Sequence, residues 1–437
     1  MPDDSPVDPA GSRASDVAPP SAPGSVVVVG GGLAAGRTVA ALRTHGFEGT
    51  ITVVAAEHHA PYDRPPLSKE LLSRPEPAWL LDELGGDLAE AHGADVHLGR
   101  PATGLTLTDD AVTIRTAAGD VTADAAVLAT GAHAVLPASL RGALTLHTAD
   151  DAAVLRERLR PGARLVVVGA GWIGAEVAGV ASAADVEVTV VEAGAAPLSG
   201  AVGAQVGHLL RPWYAAAGVA LRTGTGVRAV RPGPTGAVVE LDDGGTLGAD
   251  VVLAAVGARP TTSWIGDTLP RTASDALAVD GWYRVLGPDG AQPRVLAVGD
   301  VATRRSVRHG WVPGGHWDAA LRGPDTAAQG LVTGFAGEPA DPAPYVFSTQ
   351  LGHELGMYGQ PGPTDEVVLR GDPRGAFTAL WCAPGTDRLT AVLAVDRPAD
   401  VAAARRLLAA RELPVVDRAA AADPRVRLRD AVGPASS

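Results

Sequence analysis

Residues Arg164–Ala178 read RLVVVGAGWIGAEVA. A short run of Leu and Val enters a glycine-rich turn, and an Ala-rich stretch with helical character follows, which specifies strand, tight turn and helix in that order. Gly169, Gly171 and Gly174 fall on the spacing of the dinucleotide fingerprint. That spacing needs a first residue free to take positive φ, a second without a side chain so that the backbone can approach a pyrophosphate, and a small third residue for helix packing. The helix is expected to run from about Gly174 to Ala184, and a second strand, Glu187 to Val191, ends at Glu192, about 20 residues past the turn. A carboxylate there accepts from both ribose hydroxyls and repels a 2′-phosphate, which favours NADH over NADPH.

Working outward, the same pattern stands once more in the chain. Ser25 to Val29 enters GGGLAAG at Gly30, a helical stretch reaches about Arg43, and the run Ile51 to Val54 leads to Glu57. Gly30, Gly32 and Ala35 occupy the fingerprint positions, and Glu57 can accept from a ribose. Val112 to Thr116 with Gly119 to Thr122 reads as a hairpin, and Asp124 to Thr130 as a buried strand closed by Gly131. Hairpin-like strands then lie between Leu221 and Gly257, with a buried strand from Asp250 to Val256. Val295 to Val298 enters Gly299 and Asp300, and a helix is expected from His316 to about Thr333. After Pro342 the pattern changes to strands at Glu366 to Arg370, Ala376 to Trp381 and Leu389 to Val395, then a helix from Pro398 to Arg411. The expected fold class is α/β, with two Rossmann-like FAD/NAD(P)-binding domains and a C-terminal α+β domain. The expected boundaries are a tail over 1–24, a discontinuous FAD domain over 25–148 and 270–341, an NAD domain over 149–269, a C-terminal domain over 342–430 and a tail over 431–437.

Composition narrows the chemistry. The 437 residues carry a formal charge of -13, which argues against a nucleic-acid ligand, because phosphate backbones are bound by clustered Lys and Arg. Cys382 is the only cysteine, so neither an internal disulfide nor a dithiol that shuttles two electrons is available, and redox chemistry must sit on a bound cofactor. No metal site is expected. No apolar run is long enough for a membrane span, and the first residues lack a basic start and an apolar core, so a cytoplasmic protein is expected. Lys69 is the sole lysine among 36 basic residues of the Lys and Arg kinds, which marks its position. Two nucleotide folds in one chain ask for two nucleotides, and a flavin with a nicotinamide is the economical pair.

Seven stretches carry a more specific likeness. They are PYDRPPLSKELL at Pro61–Leu72, ATGA at Ala129–Ala132, GAGWIGAEVA at Gly169–Ala178, VGARP at Val256–Pro260, AVGD at Ala297–Asp300, GHW at Gly315–Trp317 and DPRVRLR at Asp423–Arg429. In these the chain resembles the FAD-dependent NADH:ferredoxin reductases of oxygenase systems, within the glutathione-reductase-like flavoproteins. The resemblance implies that Lys69 lies beside the flavin ring near N5 and pairs with Glu176, where disulfide reductases carry their cysteine pair. It implies FAD contacts from Gly30, Gly32, Ala35, Glu57, Arg64, Lys69, Ala129, Thr130, Gly131, Asp300, His316 and Trp317. It implies NAD contacts from Gly169, Gly171, Ile173, Gly174, Glu192 and Gly257. The implied reaction takes hydride from NADH to FAD and sends single electrons to an iron-sulfur ferredoxin, which supplies an oxygenase; a monomer or homodimer is expected.

Ferredoxins of this kind are acidic, so Arg304, Arg305 and Arg308, with His309, are either part of a docking face or a solvated basic loop. The chain departs from the family in three places. His133, Ala134 and Val135 follow ATGA where an Arg is usual, Gly315 replaces a Glu, and Val346, Phe347, Ser348, Thr349 and Gln350 stand for Phe-Trp-Ser-Asp-Gln. Two other readings stay open. One keeps flavin and NADH but uses dioxygen or a quinone as acceptor, and the other is an NADH-binding interaction protein with attenuated chemistry.

Overall fold

A computed structural model describes residues 22–233 and 236–432. The tail expected over 1–24 falls outside the described residues except for its last three positions, and 433–437 of the C-terminal tail do likewise. The chain packs into two compact units. Among the described residues, one comprises 22–63, Ala78–His133 and Arg259–Pro344, and the other Arg64–Pro77, Ala134–Ala258 and 345–432.

The first unit is built on a nine-stranded sheet whose centre is parallel. Ser25–Val29 lies between Thr50–Val54 and Ala125–Leu128, and Gly290–Ala297 continues the parallel run beyond Ala125–Leu128. Val26, Val27, Val28 and Val29 are all essentially inaccessible, as expected of a central parallel strand covered on both faces. The helices Leu33–Thr44 and Trp317–Thr333 pack on each other over this sheet. The Val295 to Val298 strand begins earlier than its apolar residues indicate, because Gly290 turns the chain back antiparallel onto Arg284–Gly287.

The second unit repeats the parallel arrangement. Arg164–Val168 sits between Glu187–Glu192 and Val251–Ala254, with Ala220–Thr223 at one edge. A five-stranded antiparallel sheet follows in the order Tyr345–Gln350, His353–Gly359, Leu389–Val395, Phe377–Cys382 and Glu366–Gly371. Its apolar face shares a core with the helix Ser199–Ala216, where Leu198, Val202, Val206, Leu210 and Trp213 meet Leu355, Met357, Phe377 and Trp381. That helix is absent from the sequence reading. It contains Pro212 and breaks at Gly203, whose φ of 75° is closed to a regular helix, so local propensity conceals a segment that packing stabilises.

Arg370 fastens the end of this unit. The guanidinium is 3% exposed; it donates to Asp400 at 3.1 Å and to the carbonyls of Asp423 at 2.5 Å and Val426 at 2.7 Å. Arg370→Met strips the Asp423 and Val426 carbonyls of this donor and leaves the buried Asp400 to Arg397 and Thr378, so unfolding free energy is expected to fall by about 3 kcal/mol. A urea midpoint equal to that of the parent chain would contradict this.

Candidate active site

The two glycine turns are built alike. Gly30 has φ +134°, and a Cβ there would stand 2.2 Å from the Ala129 carbonyl oxygen; Gly169 has φ +104°, and its Cβ would stand 2.4 Å from the Ala255 carbonyl oxygen. In each case the turn is pressed against the end of the neighbouring parallel strand, so only glycine fits. Gly32 and Gly171 instead face open space, and each precedes a helix without a side-chain cap. Their helices therefore present free backbone N–H groups beside a backbone that a ligand can approach, which is the requirement for holding a pyrophosphate. The third positions are close-packed: Ala35 is inaccessible, and a Cβ on Gly174 would lie 2.1 Å from the Gly169 carbonyl oxygen. Both cradles fit a dinucleotide.

In the first unit, Glu57 lies beyond the Thr50–Val54 strand and accepts from the Tyr62 hydroxyl at 2.6 Å. Ala129 is buried at the end of its strand, the Thr130 hydroxyl donates to the Thr261 carbonyl at 2.8 Å, and Gly131 has φ +63°. Asp300 accepts from the Gly315 N–H at 3.0 Å, which ties the AVGD turn to the start of the Trp317–Thr333 helix. His316 caps that helix, its Nδ1 accepting from the Ala319 N–H, and Trp317 Nε1 donates to Asp63 at 2.7 Å.

The second unit gathers the remaining positions. Glu192 accepts from the Ala170 N–H at 2.7 Å and the Gly194 N–H at 2.6 Å, so its carboxylate is fixed beside the glycine turn. No Lys or Arg occurs from Ala193 to His208, directly after Glu192, where a cation would receive a 2′-phosphate. Ile173 is 43% exposed on the first helical turn, and Gly257 has φ +114° after the Val251–Ala254 strand. Arg64 also belongs here, with its guanidinium on the His147 carbonyl.

Lys69 closes the one-turn helix Pro66–Lys69, which Pro65 and Pro66 start with a preset φ. Its Nζ donates to Oε1 of Glu176 at 2.5 Å, the two side chains being 18% and 4% exposed. Ser68 donates to the other oxygen of Glu176 at 2.5 Å, Ser348 donates to Oε1, and the Lys69 Nζ lies 5.1 Å from the centroid of the Phe347 ring. A carboxylate this enclosed needs a charged partner and several donors, and it has them. Lys69 and Glu176 thus meet as the resemblance implies. Ser68, Ser348 and Phe347 were missing from the sequence reading, although the altered stretch Val346 to Gln350 drew attention to two of them.

The docking expectation needs correction. Arg304 is 6% exposed and donates to Asp341 at 2.5 Å, and Arg308 pairs with the same carboxylate at 3.5 Å. Both guanidiniums are committed inside the first unit and are not presented to a partner. Arg305 alone of the three is exposed, on the strand Ala302–Ser306. Burial would raise the Asp341 carboxyl, but the Arg304 and Ser306 hydrogen bonds and the two guanidinium charges outweigh it and hold it low.

Burial, reinforced by the Arg308 charge for His309 and by Arg304 for His316, pushes both imidazoles down to about 4 from 6.5. The folded chain therefore binds fewer protons than the unfolded chain between these values, and stability is lost as pH falls from 6.5 through about 4. Each histidine contributes at most about 1.4 kcal/mol per pH unit in that window. Urea midpoints across pH 7 to 4 are expected to decline more shallowly in His309→Gln; an unchanged slope would contradict the assignment.

Two dinucleotide cradles, a part-buried ammonium on a buried carboxylate and a single cysteine together define an oxidoreductase of the two-nucleotide α/β class. The chain belongs to the pyridine nucleotide-disulphide oxidoreductase family, whose model matches residues 24–322, and residues 345–432 match the reductase C-terminal domain. It is 35% identical to the chlorobenzene dioxygenase ferredoxin reductase component of Cupriavidus sp. (strain PS12), over 93% of this chain and 97% of that protein. Rhodocoxin reductase of Rhodococcus erythropolis is 31% identical over 91% and 92% of the respective chains. Among solved structures, that of Fdr9 superposes with a TM-score of 0.81 at 38% identity, covering 92% of this chain and 99% of that one. The reductase–putidaredoxin complex gives 0.83 at 27% identity, over 93% and 97%. Among the described residues, no helix is long and apolar enough to cross a membrane, and no group of His, Cys, Asp or Glu could hold a metal ion.

Proposed function

We propose that the chain is the FAD-containing, NADH-dependent reductase of an oxygenase system and that it reduces an iron-sulfur ferredoxin. One observation carries the reading: a part-buried Lys69 paired with the buried Glu176 stands in a family named for disulphide chemistry, in a chain whose only cysteine is buried within a strand of the C-terminal sheet. Without a dithiol, electrons leave through the cofactor itself. FAD, when bound, accepts a hydride and gives up its electrons one at a time.

The chain's own residues divide the remaining work. Gly30, Gly32, Ala35, Glu57, Ala129, Thr130, Gly131, Asp300, His316 and Trp317 would hold FAD, joined by Arg64 and Lys69. Gly169, Gly171, Ile173, Gly174, Glu192 and Gly257 would hold NADH, and Glu192 excludes the 2′-phosphate of NADPH by like charge. Lys69 supplies fixed positive charge for a ring that gains electron density, and Glu176 keeps that ammonium in place. The corresponding domain plan is the FAD part over 25–148 and 270–341, the NAD part over 149–269 and the reductase domain over 342–430. The protein works in the cytoplasm as a monomer or homodimer and serves an oxygenase indirectly.

Ferredoxin-dependent cytochrome c reduction, compared with direct oxygen consumption at equal NADH, tests the acceptor. Cytochrome c reduction that requires ferredoxin supports the reading, whereas oxygen uptake unaffected by ferredoxin overturns it. Arg305 is the exposed member of that basic run, so Arg305→Glu is expected to lower kcat/KM for ferredoxin about threefold to tenfold, with NADH-to-ferricyanide turnover unchanged. An equal loss in both assays would remove Arg305 from the docking surface.

A further inference from the structure

The Lys69–Glu176 pair is completed by the first hairpin of the C-terminal sheet. Glu176 and Gly179 lie on one face of the helix Trp172–Ser182, a turn apart. A Cβ on Gly179 would come within 2.9 Å of the Leu351 backbone nitrogen and 3.2 Å of its Cα. The missing side chain is what lets the two-residue turn between Tyr345–Gln350 and His353–Gly359 seat on the helix. At that turn Leu351 has φ +52° and Gly352 φ +87°, the pair of left-handed residues a tight hairpin requires. Leucine adopts this conformation only under constraint.

Seating the turn brings alternate residues of one strand face to the carboxylate. Ser348, 1% exposed, donates to the same Glu176 oxygen that receives the Lys69 Nζ. Gln350, 2% exposed, donates through Nε2 to the Ser348 hydroxyl oxygen at 3.0 Å. With its oxygen accepting from Gln350, the hydroxyl is left to direct its own proton at Glu176. Ser68 holds the second carboxylate oxygen, so the plane of the carboxylate is fixed from both sides.

We propose that Ser348 is a positioning residue for the reaction: it holds Glu176 in the orientation that fixes the Lys69 ammonium, and Gly179 is the position that admits it. The inference rests on the role given to Lys69 above. Because Lys69 is the sole lysine, an amine-directed acylating reagent reports on one side chain in the peptide that carries it.

The test uses the FAD-loaded protein. In Ser348→Ala, acylation of Lys69, quantified by mass spectrometry, is expected to be about fivefold faster, and flavin reduction by NADH about tenfold slower, with the NADH Kd within about twofold. Gly179→Ala displaces the hairpin from the other side and is expected to move both readouts in the same directions. Acylation or flavin reduction at the parent rate in both variants, while Lys69→Met still slows reduction, overturns the positioning role. If Lys69→Met has no effect on reduction but Ser348→Ala still exposes Lys69 to acylation, the contact stands and the function assigned to Lys69 falls.

Discussion

Lys69→Met is expected to slow reduction of the bound flavin by NADH about 100-fold in anaerobic stopped flow, with the NADH Kd changed by less than about threefold. The size follows from the role proposed for Lys69, in which a fixed charge is lost from beside a ring that gains electron density in the transition state and not in ground-state binding. The substitution also leaves Glu176 buried at 4% exposure without its ion-pair partner, so a loss of thermal stability is expected alongside it. Lys69→Met combined with Glu176→Gln removes both charges. That double variant should recover the stability but not the rate, which separates the two consequences. A Lys69→Met protein that reduces its flavin at the parent rate would contradict the role.

The glycine turns give the second large effect, and they give it in two separable forms. Gly169→Ala places a Cβ 2.4 Å from a backbone oxygen at a φ of +104°, in a turn whose neighbours are inaccessible strands. Close-packed backbone cannot yield cheaply, so the turn must open. The expected protein is yellow, keeps FAD through purification and loses affinity for NADH by about 100-fold or more, since the pyrophosphate then meets a displaced helix N-terminus. Gly30→Ala puts the corresponding collision in the other unit, at 2.2 Å from the Ala129 oxygen, and is expected to yield a colourless chain. Loss of flavin from Gly169→Ala with NADH binding retained would show that the two cradles are assigned the wrong way round.

The parallel cores could be read because their strands carry few ambiguities. Val26 to Val29 and Leu165 to Val168 are unbroken apolar runs that end in glycines with a demanding conformation, and the expected strand Arg164–Val168 matches the observed one residue for residue. The Leu389–Val395 strand was equally clear. Helix Ser199–Ala216 was hidden because glycines and Pro212 lower its propensity while Leu210 and Trp213 secure it through a sheet more than a hundred residues away in sequence. The basic run at Arg304 misled for a related reason. A charge cluster looks solvated unless its counterion is seen, and Asp341 reaches Arg304 and Arg308 only through the fold of the first unit. Lys69 stood out by composition and Glu176 through the family's pattern, whereas Ser68 and Ser348 lie within quoted stretches but are small hydroxyls whose sequence alone assigns them no role. Only the seating of a hairpin at Gly179 reveals the contact of Ser348 with Glu176.

The simplest decisive observation is an anaerobic titration of the purified, FAD-loaded protein with NADH, followed at the flavin band near 450 nm. The proposed function requires the band to bleach with one NADH per flavin and to return when oxidised ferredoxin is added. NADH that binds without bleaching the band, or a reduced flavin that ferredoxin cannot reoxidise, would contradict it.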